Sequence, residues 1–372
     1  MTSSLAWNDI DRQSMARALE LGRRGLYTAD PNPYVGCVLR RDGAIVGEGW
    51  HAKAGGPHAE AAALAVAGEA ARGATAYVTL EPCSHFGRTP PCSRALIAAG
   101  IKRVVYAIDD PNPQVAGRGA AELRAAGVTV EGGLMAAEAE ALHAGYLKRR
   151  RTGRPFVRVK LAASLDGRTA LASGESRWIT SKTARADVQY YRARSSVVLT
   201  GIGTVLADDP AMNVRIEESN RQPLRVVLDS SLRIPPESRL INRQGNVLIA
   251  GTGDDAARRE ALERKGVEVL IFPATQGRPD LGAVLDLLGS RGANELWVEA
   301  GAVLAGAFVR EGLFDELVIY FAPTLLGSDA RPLLSLPPLP ELAARPRLHF
   351  TECVAVGDDL RVTAVPVPAE AS

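Results

Sequence analysis

Two α/β domains are what this sequence predicts, and three observations lead there. Its 372 residues exceed what one hydrophobic core ordinarily organises. Short apolar strands alternate with helical periodicity in both halves, the pattern of sheets layered with helices. Between the halves, Lys148-Arg149-Arg150-Arg151-Thr152-Gly153-Arg154-Pro155 breaks the periodicity with charge, glycine and proline, and places the domains at 1–150 and 151–372. The basic run also admits a nucleic-acid-binding arm, but at a helix C-terminus it serves more simply as a complement to the dipole.

The first domain reads as follows. Met15, Ala18 and Leu19 give a helical stripe from Ile10 to Gly25, which the glycine stops. Val35–Leu39 and Ala44–Gly49 flank Arg41-Asp42-Gly43, whose Asp-Gly pair signals a hairpin. Pro57 starts a helix over Ala59–Ala67, which puts His58 and Glu60 in its first turn, where unpaired N–H groups and the dipole favour an anionic Glu60. A strand at Thr75–Leu80 leads to the loop between Cys83 and Cys92, then a helix to Ala99 that Gly100 closes. A strand at Val104–Ile108, a helix at Ala120–Ala126, a strand at Val128–Glu131 and a helix from Ala136 to about Arg150 complete the alternation.

In the second half, strands are expected at Phe156–Leu161, Ser196–Leu199, Leu224–Asp229, Asn246–Ala250, Val267–Phe272 and Glu295–Glu299. Helices fall at Ser181–Arg194, capped by Thr180 or Ser181, at Asp254–Lys265 and at Asp280–Gly289. Leu317–Phe321 and Leu348–Val354 have no helix after them, so the sheet should be mixed with an antiparallel edge.

Composition excludes several function classes. A net charge of +2 is no electrostatic footprint for nucleic acid, and no apolar run approaches the roughly 18 residues that span a membrane. Met1–Asp9 lacks a basic stretch followed by an apolar one, so the chain is expected in the cytoplasm with its four cysteines reduced. That favours metal over disulfide.

One constellation dictates a chemistry: His58-Ala59-Glu60, then Pro82-Cys83, then Cys92. A catalytic zinc takes three protein ligands and keeps a fourth position for water, which suits His58, Cys83 and Cys92. Two thiolates cancel the formal charge of the ion, so its water is less acidified than among three imidazoles and a nearby base, Glu60, must take the proton. Nucleobase deaminases use this arrangement, although their H-x-E then P-C motif closes as C-x-x-C, whereas eight residues separate Cys83 from Cys92. Core filler or a closed structural zinc is the blander reading, but a closed site needs a fourth ligand and Cys353 lies far along the chain.

The second half is less explicit. Gly201-Ile202-Gly203-Thr204 and Glu299-Ala300-Gly301 follow strands and could cradle phosphate, or serve only as turns. Leu206 stands where a dinucleotide fingerprint needs its third glycine. Ser164-Leu165-Asp166-Gly167 reads as a turn closing a hairpin. Lys160, in an apolar strand, either snorkels to an edge or faces a ligand.

Taken together, Pro31-Asn32-Pro33-Tyr34-Val35-Gly36, Pro57-His58-Ala59-Glu60 and the stretch from Glu81 to Cys92 resemble the deaminase half of the bifunctional riboflavin-biosynthesis deaminase/reductase family. Lys160 with Ser164–Gly167, Ser176-Arg177-Trp178-Ile179-Thr180, Gly203–Pro210 and Glu299-Ala300-Gly301 resemble its reductase half. The resemblance spans nearly the whole chain and accounts for the long Cys83–Cys92 gap. It implies a cytidine-deaminase-like α/β/α layer domain followed by a dihydrofolate-reductase-like mixed-sheet domain that uses NADPH. It further implies deamination of 2,5-diamino-6-(5-phosphoribosylamino)pyrimidin-4-one, then reduction of the ribosyl group to ribityl, in a homo-oligomer.

By that resemblance His58, Cys83 and Cys92 hold zinc, Glu60 shuttles protons and Asn32 binds the pyrimidine. NADPH falls to Ala162, Trp178, Thr204, Asp208, Ser230 and the turn Gly301, Ala302, Val303, Leu304, Ala305, Gly306, Ala307. The phosphorylated substrate falls to Lys160, Ser176, Arg192, Met212, Arg215 and Glu299, with Met212 standing where the family usually has leucine. Arginines suit a phosphate because a guanidinium grips it with two parallel bonds. An RNA deaminase with an unrelated second domain, or a binding protein on a decayed enzyme scaffold, are the competing readings. Near-neutral charge opposes the first and the intact ligand set opposes the second.

Overall fold

The computed structural model describes residues 7–84, 90–113, 115–219 and 221–367. Met1–Ala6 and the His85–Thr89 part of the cysteine-bearing motif lie outside the described residues. The chain divides into two compact units, Met1–Gly153 and Arg154–Ser372.

The first unit is one five-stranded sheet between two helical layers. Its strands are β1 (Gly36–Arg41), β2 (Ala44–Trp50), β3 (Thr75–Val78), β4 (Arg103–Tyr106) and β5 (Thr129–Gly132), in the order β2-β1-β3-β4-β5. β1 runs antiparallel to both β2 and β3, and β3, β4 and β5 are parallel. The pleat sends alternate residues to opposite faces. Val38, Tyr77 and Val105 pack with α1 (Asp9–Arg23) and α5 (Ala136–Thr152). Leu39, Val78 and Val104 pack with α2 (Ala59–Ala67), α3 (Cys92–Ala98) and α4 (Arg118–Ala125). α2 lies so close on β2 that a Cβ at Gly49 would sit 2.4 Å from the Ala59 carbonyl oxygen and from the Ala63 nitrogen. Alanine-rich α2 and glycine in β2 are therefore one packing solution, and it sets the depth of the helix start that carries the site.

Two expectations shift here. His58 is the residue before α2, in extended conformation, rather than part of its first turn; only Glu60 belongs to that turn. The helix expected to end at about Arg150 runs two residues further, to Thr152, and ends at Gly153 in the left-handed conformation. The 150/151 boundary thus falls within the last turn of a helix.

The second unit is built on a nine-stranded mixed sheet. Its strands are β6 (Phe156–Ser164), β7 (Arg168–Ala170), β8 (Val197–Gly201), β9 (Leu224–Leu228), β10 (Val247–Gly251), β11 (Glu268–Ile271), β12 (Ala274–Thr275), β13 (Arg278–Pro279), β14 (Glu295–Glu299), β15 (Glu316–Ala322), β16 (Arg331–Pro332), β17 (Leu348–Val356) and β18 (Asp359–Pro366). The large sheet is ordered β11-β10-β9-β8-β14-β6-β15-β18-β17. It is parallel as far as β15, and β18 and β17 add the antiparallel edge. One face packs α9 (Leu281–Ser290) and α10 (Ala302–Arg310), the other α6 (Lys182–Arg194), α7 (Ile202–Asp208) and α8 (Ala256–Glu263). Ser181, not Thr180, caps α6, its hydroxyl accepting from the Ala184 N–H.

β18 was not foreseen, although Gly357-Asp358 marks its turn and buried Val362 and Ala364 mark its inward face. The Gly201–Thr204 turn is in fact the start of α7. The Ser164–Gly167 turn does not close a hairpin within the sheet: β7 pairs with β16 instead, and Asp166 accepts from the Leu326 and Gly327 N–H groups.

Candidate active sites in the two units

In the first unit, three ligand atoms converge at element ends. Cys83 sits beyond β3, and Cys92 is the first residue of α3. His58 stands at the N-cap of α2 but makes no side-chain cap bond, so its imidazole is turned elsewhere. Its Nδ1 lies 3.3 Å from Cys92 Sγ and 3.5 Å from Cys83 Sγ, and all three ligand atoms fall within 4.8 Å of one another. Around a tetrahedral ion, bonds of about 2.0 Å to nitrogen and about 2.3 Å to sulfur give nitrogen–sulfur edges of roughly 3.5 Å. The donor set and its spacing therefore fit zinc. The Cys92 N–H, unpaired because it opens a helix, points at Cys83 Sγ at 3.4 Å, and such donors favour the thiolate. The hydrogen bond from Cys92 and the nearby His58 draw the Cys83 thiol down against the opposing effect of burial.

Glu60 is 3% exposed. Burial, and next the charge of Cys83, push its carboxyl up, while His58 and Cys92 pull the other way. The backbone at the helix start also favours the anion, as the sequence suggests, but burial outweighs it. The result is a carboxylate more basic than a solvated one, which takes up a proton more readily.

Asn32, the expected pyrimidine ligand, is held by a residue that the sequence reading missed. His51 Nε2 lies 2.9 Å from Asn32 Nδ2, and His51 Nδ1 lies 2.9 Å from the Pro57 carbonyl oxygen. A carbonyl only accepts, so Nδ1 carries the proton and Nε2 receives the Asn32 amide N–H. That fixes the amide plane and leaves the Asn32 carbonyl oxygen for a ligand. The His51 ring also meets His58 edge to face, centroids 5.5 Å apart. A single histidine at a strand end gave no signal in the sequence.

In the second unit, a cavity of about 1840 Å³ gathers most of the predicted residues. Lys160, Ser176, Arg192, Met212, Arg215 and Glu299 line it, as do Ala162, Trp178, Thr204, Asp208 and Ser230. Of the 301–307 turn, Gly301, Ala302, Val303, Leu304 and Ala307 reach the cavity. Ala305 and Gly306 do not. They lie on the opposite face of α10, where Ala305 is fully buried and a Cβ at Gly306 would sit 2.2 Å from the Ser335 carbonyl oxygen. A helix turns about 100° per residue, so seven successive positions cannot all face one ligand.

At the centre of the cavity Glu299 and Lys160 are register partners on adjacent strands. Arg192 grips Glu299 through Nε at 2.5 Å and Nη2 at 2.8 Å, and its Nη1 donates to the Asn213 carbonyl oxygen at 3.2 Å. Trp297 Nε1 donates to Glu299 as well, at 2.9 Å. Burial opposes ionisation of Glu299, but Arg192 first, then Lys160 and Trp297, hold it at about 2. Burial lowers Lys160, Glu299 raises it, and Arg192 adds to the lowering. Arg192 is thus paired with a carboxylate while lining the cavity. The loop after β9 brings three cavity arginines that sequence reasoning missed, Arg233, Arg239 and Arg243; the loop has no periodicity to betray them.

Comparison with known proteins covers both units. The cytidine and deoxycytidylate deaminase zinc-binding region matches residues 8–108, and the RibD C-terminal domain matches residues 155–362. The riboflavin biosynthesis protein RibD of Escherichia coli (strain K12) is 54% identical over 362 residues, 94% of this chain and 98% of its own. The Haemophilus influenzae protein of the same name is 49% identical over 378 residues, 97% of this chain and 99% of its own. Among solved structures, Acinetobacter baumannii RibD superposes with a TM-score of 0.90 at 45% identity, covering 96% of this chain and 99% of that one. A Thermotoga maritima diaminohydroxyphosphoribosylaminopyrimidine deaminase/5-amino-6-(5-phosphoribosylamino)uracil reductase superposes with a TM-score of 0.86 at 32% identity over the same shares.

Proposed function

The chain belongs to the bifunctional riboflavin-biosynthesis deaminase/reductase family, and from that premise we propose which of its residues carry each reaction and on what substrate. It is a zinc-dependent deaminase in its first unit and an NADPH-dependent reductase in its second. The substrate of the first reaction is 2,5-diamino-6-(5-phosphoribosylamino)pyrimidin-4-one, and the second reaction reduces the ribosyl chain of the deaminated product to ribityl. The convergence of His58, Cys83 and Cys92 beside a buried Glu60 is the observation that carries this reading.

In the deaminase, His58, Cys83 and Cys92 hold zinc, which when bound acidifies a water and so supplies the nucleophile. Glu60 takes the proton released at that water and delivers it to the pyrimidine, so that the amino group departs as ammonia. Asn32, its amide oriented by His51, accepts from an N–H of the ring and sets the amino-bearing carbon in place. Burial of Glu60 excludes bulk water from the transfer.

In the reductase, NADPH supplies a hydride to the first carbon of the sugar chain. The ring oxygen released there needs a matching proton. Lys160, with its ordinary basicity weakened by burial, is the acid that the cavity offers, and Glu299 keeps it oriented. Ala162, Trp178, Thr204, Asp208 and Ser230 bind the cofactor, and the unpaired N–H groups of Ala302, Val303 and Leu304 at the start of α10 suit its pyrophosphate. Ser176, Met212 and Arg215 bind the sugar phosphate.

Two broader features belong to the same proposal. The enzyme assembles with copies of itself: β17 is an exposed edge strand of nine residues with Phe350 65% exposed, and such edges are ordinarily covered. It works in the cytoplasm, since all four cysteines are free thiols and two are metal ligands. No helix among the described residues is long and apolar enough to cross a membrane.

The deciding experiment supplies the diaminopyrimidine with and without NADPH, identifies each product and counts metal. Ammonia without NADPH, ribityl product only with it, and about one zinc per chain are expected. NADPH oxidation on the undeaminated pyrimidine at an equal rate would overturn the order of steps.

A further inference from the structure

Two cysteines that share an ion must stand a few ångströms apart, and a C-x-x-C sequence achieves that with the short chain between them. Here eight residues separate Cys83 from Cys92, too long a stretch to fix the distance by itself. Direct contacts supply part of the answer. The Cys92 N–H points at Cys83 Sγ at 3.4 Å, and the Ser93 N–H donates to the Cys83 carbonyl oxygen at 3.1 Å. Helix α4 supplies the rest, through two carboxylates that take no part in the proton transfer.

The first is Glu81, two residues before Cys83 and 3% exposed. α4 starts after Gly117, a left-handed N-cap with no side chain to accept from the first N–H groups of the helix. Glu81 takes that part from another element. Its Oε2 accepts from the Gly117 N–H at 2.9 Å and from the Asp110 N–H at 3.4 Å, and its Oε1 accepts from the Ala120 N–H at 3.1 Å. The Glu81 N–H donates to the Ile108 carbonyl oxygen at 3.0 Å, so the residue is pinned through main chain and side chain alike. The helix also lies so close to the next residue that a Cβ at Gly119 would sit 1.8 Å from the Pro82 carbonyl oxygen. A buried carboxylate is costly unless donors satisfy it, and these donors tie it to the start of α4. The second carboxylate is Glu122, on α4 itself. One of its oxygens accepts from the hydroxyl of fully buried Ser93, and the other from Arg94 Nε at 2.9 Å. Ser93 and Arg94 follow Cys92 directly in the first turn of α3. One helix is therefore bonded to the chain just before one sulfur and just after the other.

We propose that α4 is the template that sets the separation of the two sulfurs, with Glu81 the positioning residue for Cys83 and Glu122 the positioning residue for Cys92. This rests on His58, Cys83 and Cys92 being the zinc ligands. Neither carboxylate belongs to that ligand set, so each acts through the backbone that carries a cysteine. Without Glu81 the start of α4 loses its acceptor and Pro82-Cys83 loses its anchor. The ion would then have to gather the sulfurs itself, which weakens its binding.

The test uses the full-length enzyme with zinc alone as the probe, its affinity read by competition with a chromophoric chelator at a temperature where every variant is folded. Glu81→Gln, which sets an amide N–H against backbone N–H groups, and Glu122→Ala should each weaken zinc binding by about tenfold, the lower end of what losing a partner of a metal's ligand ordinarily does. Glu122→Gln, which keeps an acceptor for Ser93, should recover part of that loss. Cobalt(II) loaded in place of zinc reports the geometry, and its ligand-field bands should shift in Glu81→Gln and Glu122→Ala. With zinc in excess, ammonia release should recover while the KM for the pyrimidine stays within about twofold of the wild type. Lower thermal stability with unchanged zinc affinity and unchanged cobalt bands would make both carboxylates helix caps only. A raised KM with unchanged zinc affinity would place them on the substrate side, and either outcome overturns the proposal. Should Glu81→Gln fail to fold, Ser93→Ala removes a single hydroxyl and carries the same readout: weaker zinc binding is expected, and unchanged binding overturns the role of Glu122. A wild-type enzyme that bound no zinc would instead overturn the ligand assignment beneath it.

Discussion

The two sites solve opposite problems. In the deaminase unit, three atoms within 4.8 Å of one another are delivered by one N-cap, one strand end and one helix start, and the base beside them is buried. In the reductase unit, a cavity of about 1840 Å³ is walled by residues drawn from most of the unit, with Glu299 and Arg192 paired in its wall. Chemistry that depends on one ion needs few residues placed rigidly. Chemistry between two large ligands needs many, each contributing little. The difference teaches where a single substitution is decisive and where it is graded.

The sharpest way to break that contrast is Glu60→Gln. It keeps the shape of the site and leaves the metal ligands in place, so zinc content should stay near one per chain while ammonia release falls about 10²- to 10⁴-fold. Residual ammonia release at the wild-type rate would remove Glu60 from the mechanism and with it the claim that this site hinges on one carboxyl.

In the second unit the nearest equivalent is Glu299→Gln. Arg192 would then be buried without its carboxylate, at a cost of about 3 kcal/mol to the stability of that unit, and Lys160 would lose its partner. Chemical denaturation should show the loss, and reductase kcat should fall while ammonia release persists. Unchanged stability would mean that solvent in the cavity already screens the pair.

The smallest effect separates structure from site within the first unit. His143 is fully buried in α5, its Nε2 lies 3.3 Å from Thr79 Oγ1, and its Nδ1 has no partner among the described residues. Burial pushes it down to about 3. An unfolded imidazole takes its proton below about pH 6.5, whereas the folded one stays neutral until about pH 3. Stability is therefore full above pH 6.5 and falls as the pH drops toward 3. In His143→Leu that acid limb should flatten, by about 2 kcal/mol at pH 5 relative to pH 7. Parallel limbs for the variant and the wild type would show that His143 is not the group responsible.

How much of this was legible in the residues follows the same division. The zinc ligands and Glu60 could be named because their chemistry is local: an H-x-E at a helix start and a Pro-Cys after a strand carry their geometry with them. The alternation of helices and strands, the antiparallel edge and the start of α6 to within one residue of its cap were legible for the same reason, since periodicity and capping act over a few residues. His51 was not, because its role depends on Asn32 and on the Pro57 carbonyl, which only the folded chain brings to its two nitrogens. The exclusion of Ala305 and Gly306 from the cavity also waited on the packing of α10 against Ser335.

By itself, then, the sequence determined the two α/β layers, the candidate metal triad with a glutamate beside it, and the pair of reactions through a family resemblance that runs the length of the chain. Tertiary structure alone decided that Arg192 belongs to Glu299, that His51 orients Asn32, and that Arg239 and Arg243 face the cavity. The physical reason is range. Backbone propensity and ligand spacing act between near neighbours, whereas the partner of a charge is whichever group folding sets beside it, 107 positions away in the case of Arg192 and Glu299.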